Sequence, residues 1–168
     1  MTYNTMKKHL TLPCENKLNQ LRAAREFCFQ YLFHLQLPIF EELKSEFQSN
    51  GNAESLLNSI SDFKQTTNSM FDDEVNSYIE KQVTQTLKNY DEIEHIISAH
   101  LKNWKLARIS KVDRTNLLLA VNELSFTKNV PPRIVINEAI EIAKKFGTAE
   151  SSAFINGILD SIAKKDQT

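Results

Sequence analysis

The chain has 168 residues with 41% apolar and 24% charged side chains, a length and composition that suit one soluble globular domain. Only 3 glycines and 4 prolines punctuate it, too few for the turns of a hairpin-rich sandwich or barrel, and glycines at 51, 147 and 157 leave no room for a phosphate-binding glycine loop. The formal charge of −1 hides an uneven distribution: residues 1–35 carry +3, residues 36–100 carry −8 and residues 101–168 carry +4.

Residues 1–14 read as a flexible arm ending near Pro13. From Glu15 to Gln36, Leu18, Leu21, Ala24, Cys28, Leu32 and Leu35 recur every three or four residues and predict a helix with one apolar face, widened by Phe29 and Phe33. Pro38 ends it, since proline pushes the preceding residue out of the helical region. A short helix over about 39–48 follows, then a loop at Ser49-Asn50-Gly51-Asn52.

Residues 53–70 and 73–88 predict two helices, the second opened by Asp72, Asp73 and Glu74 at the positive end of its dipole. After a break at Tyr90-Asp91, Ile93, Ile96, Ile97 and Leu101 mark a helix over 91–101. Leu117, Ala120, Val121 and Leu124 predict another over about 113–127, followed by a turn at 128–130. Pro131-Pro132 opens a helix striped by Val135, Ala139, Ile142, Ala143 and Phe146, and Gly147 is expected at its end in a left-handed cap. A last helix over about 151–165 carries Ile155, Ile158, Leu159 and Ile162, with Ser and Thr at 148–152 offering caps. Gly157, inside that helix, is expected to mark a close helix approach, because mid-helix glycine costs ~1 kcal/mol against alanine. The sum is an all-α domain of about seven helices, with neither strands nor a coiled coil.

Catalytic and metal chemistry find no support in these residues. Glu92 and His95 form a single Glu-x-x-His, whereas a di-iron bundle uses two such motifs and two further glutamates. Cys14 and Cys28 make neither a disulfide framework nor a zinc site. No apolar run reaches a membrane span and no signal-peptide core is present, so a cytoplasmic protein without cofactor or metal is expected.

Two constellations point to nucleic acid. Lys7, Lys8, Lys17, Arg22 and Arg25 concentrate positive charge in the arm and first helix, with Arg22 and Arg25 three residues apart on one face. Such groups suit phosphates, and a solvated face would read the same way. Lys144 and Lys145 complement a helix C-terminus and join the candidate phosphate contacts. Phe154 lies about 100° round its helix from Ile155, at the edge of the apolar stripe, where it either packs at the core boundary or stacks on an unpaired base.

The stretches RISKVDRTNLLLAVNEL (108–124), VPPRIVINEAIEIAKKFGT (130–148) and SSAFINGILDSIAKK (151–165), with LRAAREFCFQYLF (21–33), resemble the NusB family of bacterial transcription antitermination factors. Ile136-Asn137-Glu138-Ala139 and Phe154-Ile155-Asn156-Gly157 are the most specific blocks. The resemblance implies an all-helical bundle of two small packed subdomains, about 15–88 and 89–168. It implies binding of single-stranded boxA RNA from nascent, especially ribosomal, transcripts. It further implies a partner, the small-subunit ribosomal protein NusE, and delivery to RNA polymerase with the other Nus factors. No catalysis is implied.

Carried over position by position, Lys7, Lys8, Lys17, Arg22, Arg25, Lys144, Lys145 and Phe154 become the RNA-binding set. Leu21 and Ala23 stand where the family often has arginine, and Glu150 where an acidic residue beside the RNA surface is common. Toward NusE the resemblance selects Phe33, Asp113 and, in place of the usual basic residue, Leu118. The alternative is a homo-oligomeric or protein-scaffold module with weakened RNA binding. Monomer and homodimer are both compatible with the sequence.

Overall fold

The computed structural model describes residues 13–51, 53–101 and 106–165, so Lys7 and Lys8 lie outside the described residues. Within them are eight α-helices: α1 Pro13–His34, α2 Glu41–Asn50, α3 Glu54–Thr66, α4 Asp73–Lys88, α5 Tyr90–His100, α6 Lys111–Val121, α7 Pro132–Phe146 and α8 Ser151–Lys165. The described residues contain no strand.

Local chemistry sets the ends of these helices. Asp72 caps α4 by accepting from the Val75 N–H at 2.9 Å. At α6, the Ser110 hydroxyl accepts from the Asp113 N–H at 3.0 Å and donates to Asp113 Oδ2 at 2.8 Å. Gly51 closes α2 at φ 65°. Helix α3 ends earlier than its apolar pattern predicts. Asn68 turns left-handed at φ 50°, and the Ser69 N–H reaches back to the Lys64 carbonyl at 2.9 Å.

Two apolar clusters fill the molecule. The first joins α1 through α4: Phe27 and Tyr31 meet Phe63 edge-on with ring centroids 5.4 Å apart, beside Leu56, Ile60, Ile79 and Val83. The second joins α5 through α8 around Ile93, Leu117, Val121, Ile155 and Leu159. Leu119 of α6 and Ile142 of α7 reach across into the first cluster, so the two halves share packed side chains.

Several residues sit elsewhere than the sequence predicts. Leu18 is not on the apolar face: it is 57% exposed, and full burial along α1 begins at Ala24. Leu118, offered as a partner contact, is only 4% exposed and packs in the second cluster. Consecutive residues on α6 are all buried because neighbours cover it on several sides, so no face is left to present Leu118 outward.

Gly147 is extended (φ −94°, ψ −167°) rather than left-handed. Its requirement for glycine is steric, since a Cβ there would lie 2.5 Å from Ser151 Oγ and 2.7 Å from the Ala143 carbonyl oxygen. Gly157 shows the reverse. A Cβ at that position meets nothing within 4 Å, so no helix approaches closely there.

Candidate nucleic-acid interface

Helix α6 does not stop at Val121. It widens into a π-helical turn over Asn122–Thr127, closed by the Lys128 N–H donating to the Glu123 carbonyl five residues back at 3.1 Å. Asn122, Glu123 and Leu124 are all buried in this turn. Asn122 Nδ2 donates to Gln82 Oε1 at 2.8 Å, and the Thr127 hydroxyl donates to Gln85 Oε1 at 3.1 Å. The turn thereby carries polar side chains into the seam between α1, α4 and α6.

Arg25 belongs to that seam. It is 5% exposed, and its guanidinium grips Glu123 through two hydrogen bonds of 2.8 and 2.9 Å. Tyr78 donates its hydroxyl to the same carboxylate at 3.0 Å, and its ring lies 5.6 Å below the guanidinium carbon. Burial alone would make Arg25 easier to deprotonate. The hydrogen bond to Glu123 and the charge of that carboxylate act the other way and hold its pKa above the ordinary value. The expected place of Arg25 on an RNA face beside Arg22 is therefore corrected: its donors are committed inside the protein.

The outer face of α1 runs beside α7. Arg22 donates to both oxygens of Glu138, at 2.7 and 3.0 Å, and Lys145 reaches Glu26 at 2.5 Å. Lys144 pairs with Glu141 at 2.7 Å along α7, and through that hydrogen bond and its charge holds the Glu141 carboxyl below the usual range. At the start of α1, Lys17 meets Glu74 of α4 at 2.7 Å. Lys17, Arg22, Lys144 and Lys145 stay more than half exposed in their side chains. The Lys17–Glu74 and Lys144–Glu141 pairs are exposed at both ends and hold weakly, so phosphates can displace those carboxylates at low cost. Glu138 and Glu26 are mostly covered and hold Arg22 and Lys145 more firmly.

Phe154 occupies different surroundings. It is half-buried against the second cluster and lines an open cleft of about 180 Å³. One wall comes from Arg108, in the 3₁₀ turn Leu106–Arg108, and from Ser110 and Asp113 at the start of α6. The other comes from Thr148, Glu150 and Ser151 leading into α8. Ser151 Oγ accepts from the Thr148 N–H at 2.9 Å, and the Thr148 hydroxyl donates to Glu150 Oε2 at 2.9 Å, which hold this wall in place. An aromatic side chain, fixed carboxylate acceptors and a cation at the rim suit a flat heterocycle with an attached anion. Arg108 did not stand out in the sequence, because its neighbourhood forms only when α6 and α8 come together.

The residues expected to face a protein partner separate in the structure. Phe33 is 39% exposed, stacks on Phe29 at 6.3 Å and borders a shallow groove with Val112 and Phe146. Asp113, next to Val112 in sequence, is engaged in the α6 cap described above. Leu118 stays in the core. Among the described residues there is no cluster of His, Cys, Asp and Glu suited to a metal, and no helix long and apolar enough to cross a membrane.

Fold and surface together define an all-helical module whose two apolar clusters are joined by a polar seam, with a paired ionic face and an aromatic cleft on its outside. The NusB family model matches residues 22–164, and the chain belongs to the NusB family. It is 38% identical over 146 residues to the transcription antitermination protein NusB of Listeria welshimeri, covering 87% of this chain and 98% of that one. It is 32% identical over 145 residues to the protein of the same name from Thermodesulfovibrio yellowstonii, covering 86% and 92% of the two chains. Among solved structures, NusB of T. maritima superposes with a TM-score of 0.68 at 34% identity, over 86% of this chain and 91% of that one. The fold also matches a chain in a structure of antitermination factors NusB and NusE with double-stranded RNA, with a TM-score of 0.69, 24% identity and coverage of 88% and 98%.

Proposed function

We propose that this protein is a transcription antitermination adaptor that binds boxA RNA of nascent ribosomal transcripts together with NusE and links it to RNA polymerase in the cytoplasm. The observation that carries this reading is the family match across residues 22–164, which takes in α1 from Arg22 onward and the whole Phe154 block. The Phe154 cleft supports it, since single-stranded RNA is held by stacking its unpaired bases. The proposed role is binding and delivery, with no chemical step. Exposed Phe33 and its groove form the proposed NusE side.

A second reading, a protein scaffold with weakened RNA binding, draws on one observation. Lys17, Arg22, Lys144 and Lys145 are each already paired with a carboxylate.

Titration of boxA-containing and scrambled RNA, with and without NusE and at two salt concentrations, separates the two. The adaptor prefers boxA, more strongly with NusE, and its affinity falls with salt. Equal affinity for both RNAs in the presence of NusE would overturn the adaptor reading.

A further inference from the structure

Resting on the RNA-binding reading above, we infer that Arg108 and Phe154 together form a single-nucleotide subsite, in which the base lies on the Phe154 ring and the adjoining phosphate is held by the Arg108 guanidinium.

The contrast with the other candidate cations carries the inference. Lys17, Arg22, Arg25, Lys144 and Lys145 each meet a carboxylate at 2.5–2.8 Å. Arg108 is exposed and paired with no carboxylate among the described residues, although it lines the same cleft as Asp113 and Glu150. One oxygen of each carboxylate accepts from a neighbouring hydroxyl, Asp113 from Ser110 and Glu150 from Thr148, while Asp113 Oδ1 is buried without a hydrogen-bond partner, and neither forms an ion pair with Arg108. Folding has thus put an uncommitted planar cation on the rim of a cleft whose inner wall is aromatic.

The elements also fix the geometry. Arg108 closes a 3₁₀ turn just before the Ser110 cap, and Phe154 follows the hydrogen-bonded turn from Thr148 to Ser151. Both side chains hang from anchored backbone, so a nucleotide would meet a preformed site. Stacking accepts any base, whereas a guanidinium fork suits a phosphate. The site therefore takes one unpaired nucleotide of a single strand.

The test uses the full chain and a boxA-containing single-stranded RNA. Arg108→Gln is expected to weaken binding about five-fold and to remove roughly 0.7 from the slope of log affinity against log salt, the share of one phosphate on a single strand. Arg108→Lys keeps the charge and should restore most of the slope. Phe154→Leu should weaken binding and leave the slope alone.

Chemical scanning of the RNA then locates both contacts. One abasic replacement should cancel the Phe154→Leu effect, and a neutral methylphosphonate at a linkage flanking that nucleotide should cancel the Arg108→Gln effect. Arg108→Gln binding like wild type in affinity and slope, while boxA is still preferred, overturns the subsite and spares the adaptor reading. An Arg108 effect mapping to a remote linkage overturns it too. A wild type indifferent to boxA, yet weakened by Arg108→Gln at the mapped linkage, overturns the adaptor reading and keeps the subsite.

Discussion

The α1–α7 face and the Phe154 cleft treat positive charge in opposite ways. On the face, Arg22, Lys144 and Lys145 interleave with Glu26, Glu138 and Glu141, and the local charge cancels. At the cleft, Arg108 shares the walls with Asp113 and Glu150, which take hydroxyl donors on one oxygen each and form no ion pair with it. Counting basic residues therefore overstates the pull of the first region on a polyanion and does not show where an unpaired guanidinium stands in the second. What matters to RNA is the cation left over after the protein has satisfied its own acids.

The largest effect is expected at the seam behind the face. Arg25→Ala leaves Glu123 buried without its guanidinium, and stability should fall by about 3–5 kcal/mol in denaturant unfolding. That is a large share of the ~5–15 kcal/mol that holds a typical domain folded. The fraction still folded should bind RNA with an unchanged salt slope. A flattened slope at full stability would return Arg25 to the RNA surface.

Next in size is the elbow between the two regions. Gly147→Ala forces a Cβ into Ser151 Oγ and the Ala143 carbonyl, and should cost about 1–3 kcal/mol by thermal unfolding. A smaller effect should sharpen the contrast directly. Glu138→Gln loosens Arg22, and RNA affinity at low salt should rise about two- to five-fold with a steeper salt slope, while stability falls by about 1–2 kcal/mol because the mostly covered carboxylate accepts two charge-assisted hydrogen bonds. Unchanged affinity would mean that phosphates never approach Arg22. Smallest of all, Gly157→Ala fills open space on α8 and should add about 0.5–1 kcal/mol of stability with RNA binding unaltered.

Helices with a single apolar face were the most legible in the sequence. In α4 the apolar spacing and the Asp72 cap agree with each other, and α8 forms over the 151–165 span that its stripe marks. The pattern misled where packing came from more than one side. Leu118 reads as an outward position only if α6 has an outside, and neighbours cover it on several sides.

Arg25 misled for a related reason, since it sits between the core positions Ala24 and Phe27 while Glu123 sits between Val121 and Leu124. A lone cation and a lone anion, each on an apolar stripe far apart in sequence, are the trace such a buried pair leaves. The π turn that brings Glu123 to Arg25 leaves no comparable mark, because one extra residue in a helical turn changes no local propensity. The place of Phe154 at the edge of a stripe leaves boundary packing and stacking both open, and the family resemblance is what singles it out. Arg108 is singled out by neither, because its significance arises only when two helix starts converge.

The extended backbone at Gly147 has a metric consequence. It joins the last lysines of α7 to the start of α8, and the Thr148–Ser151 hydrogen bond keeps that joint from opening. The backbone that carries Lys144 and Lys145 at the end of α7 is thereby tied to the backbone that carries Phe154 in the first turn of α8. A strand touching both must present its phosphates and its unstacked base at one particular separation. The protein would then measure how an RNA is spaced as well as what it is made of.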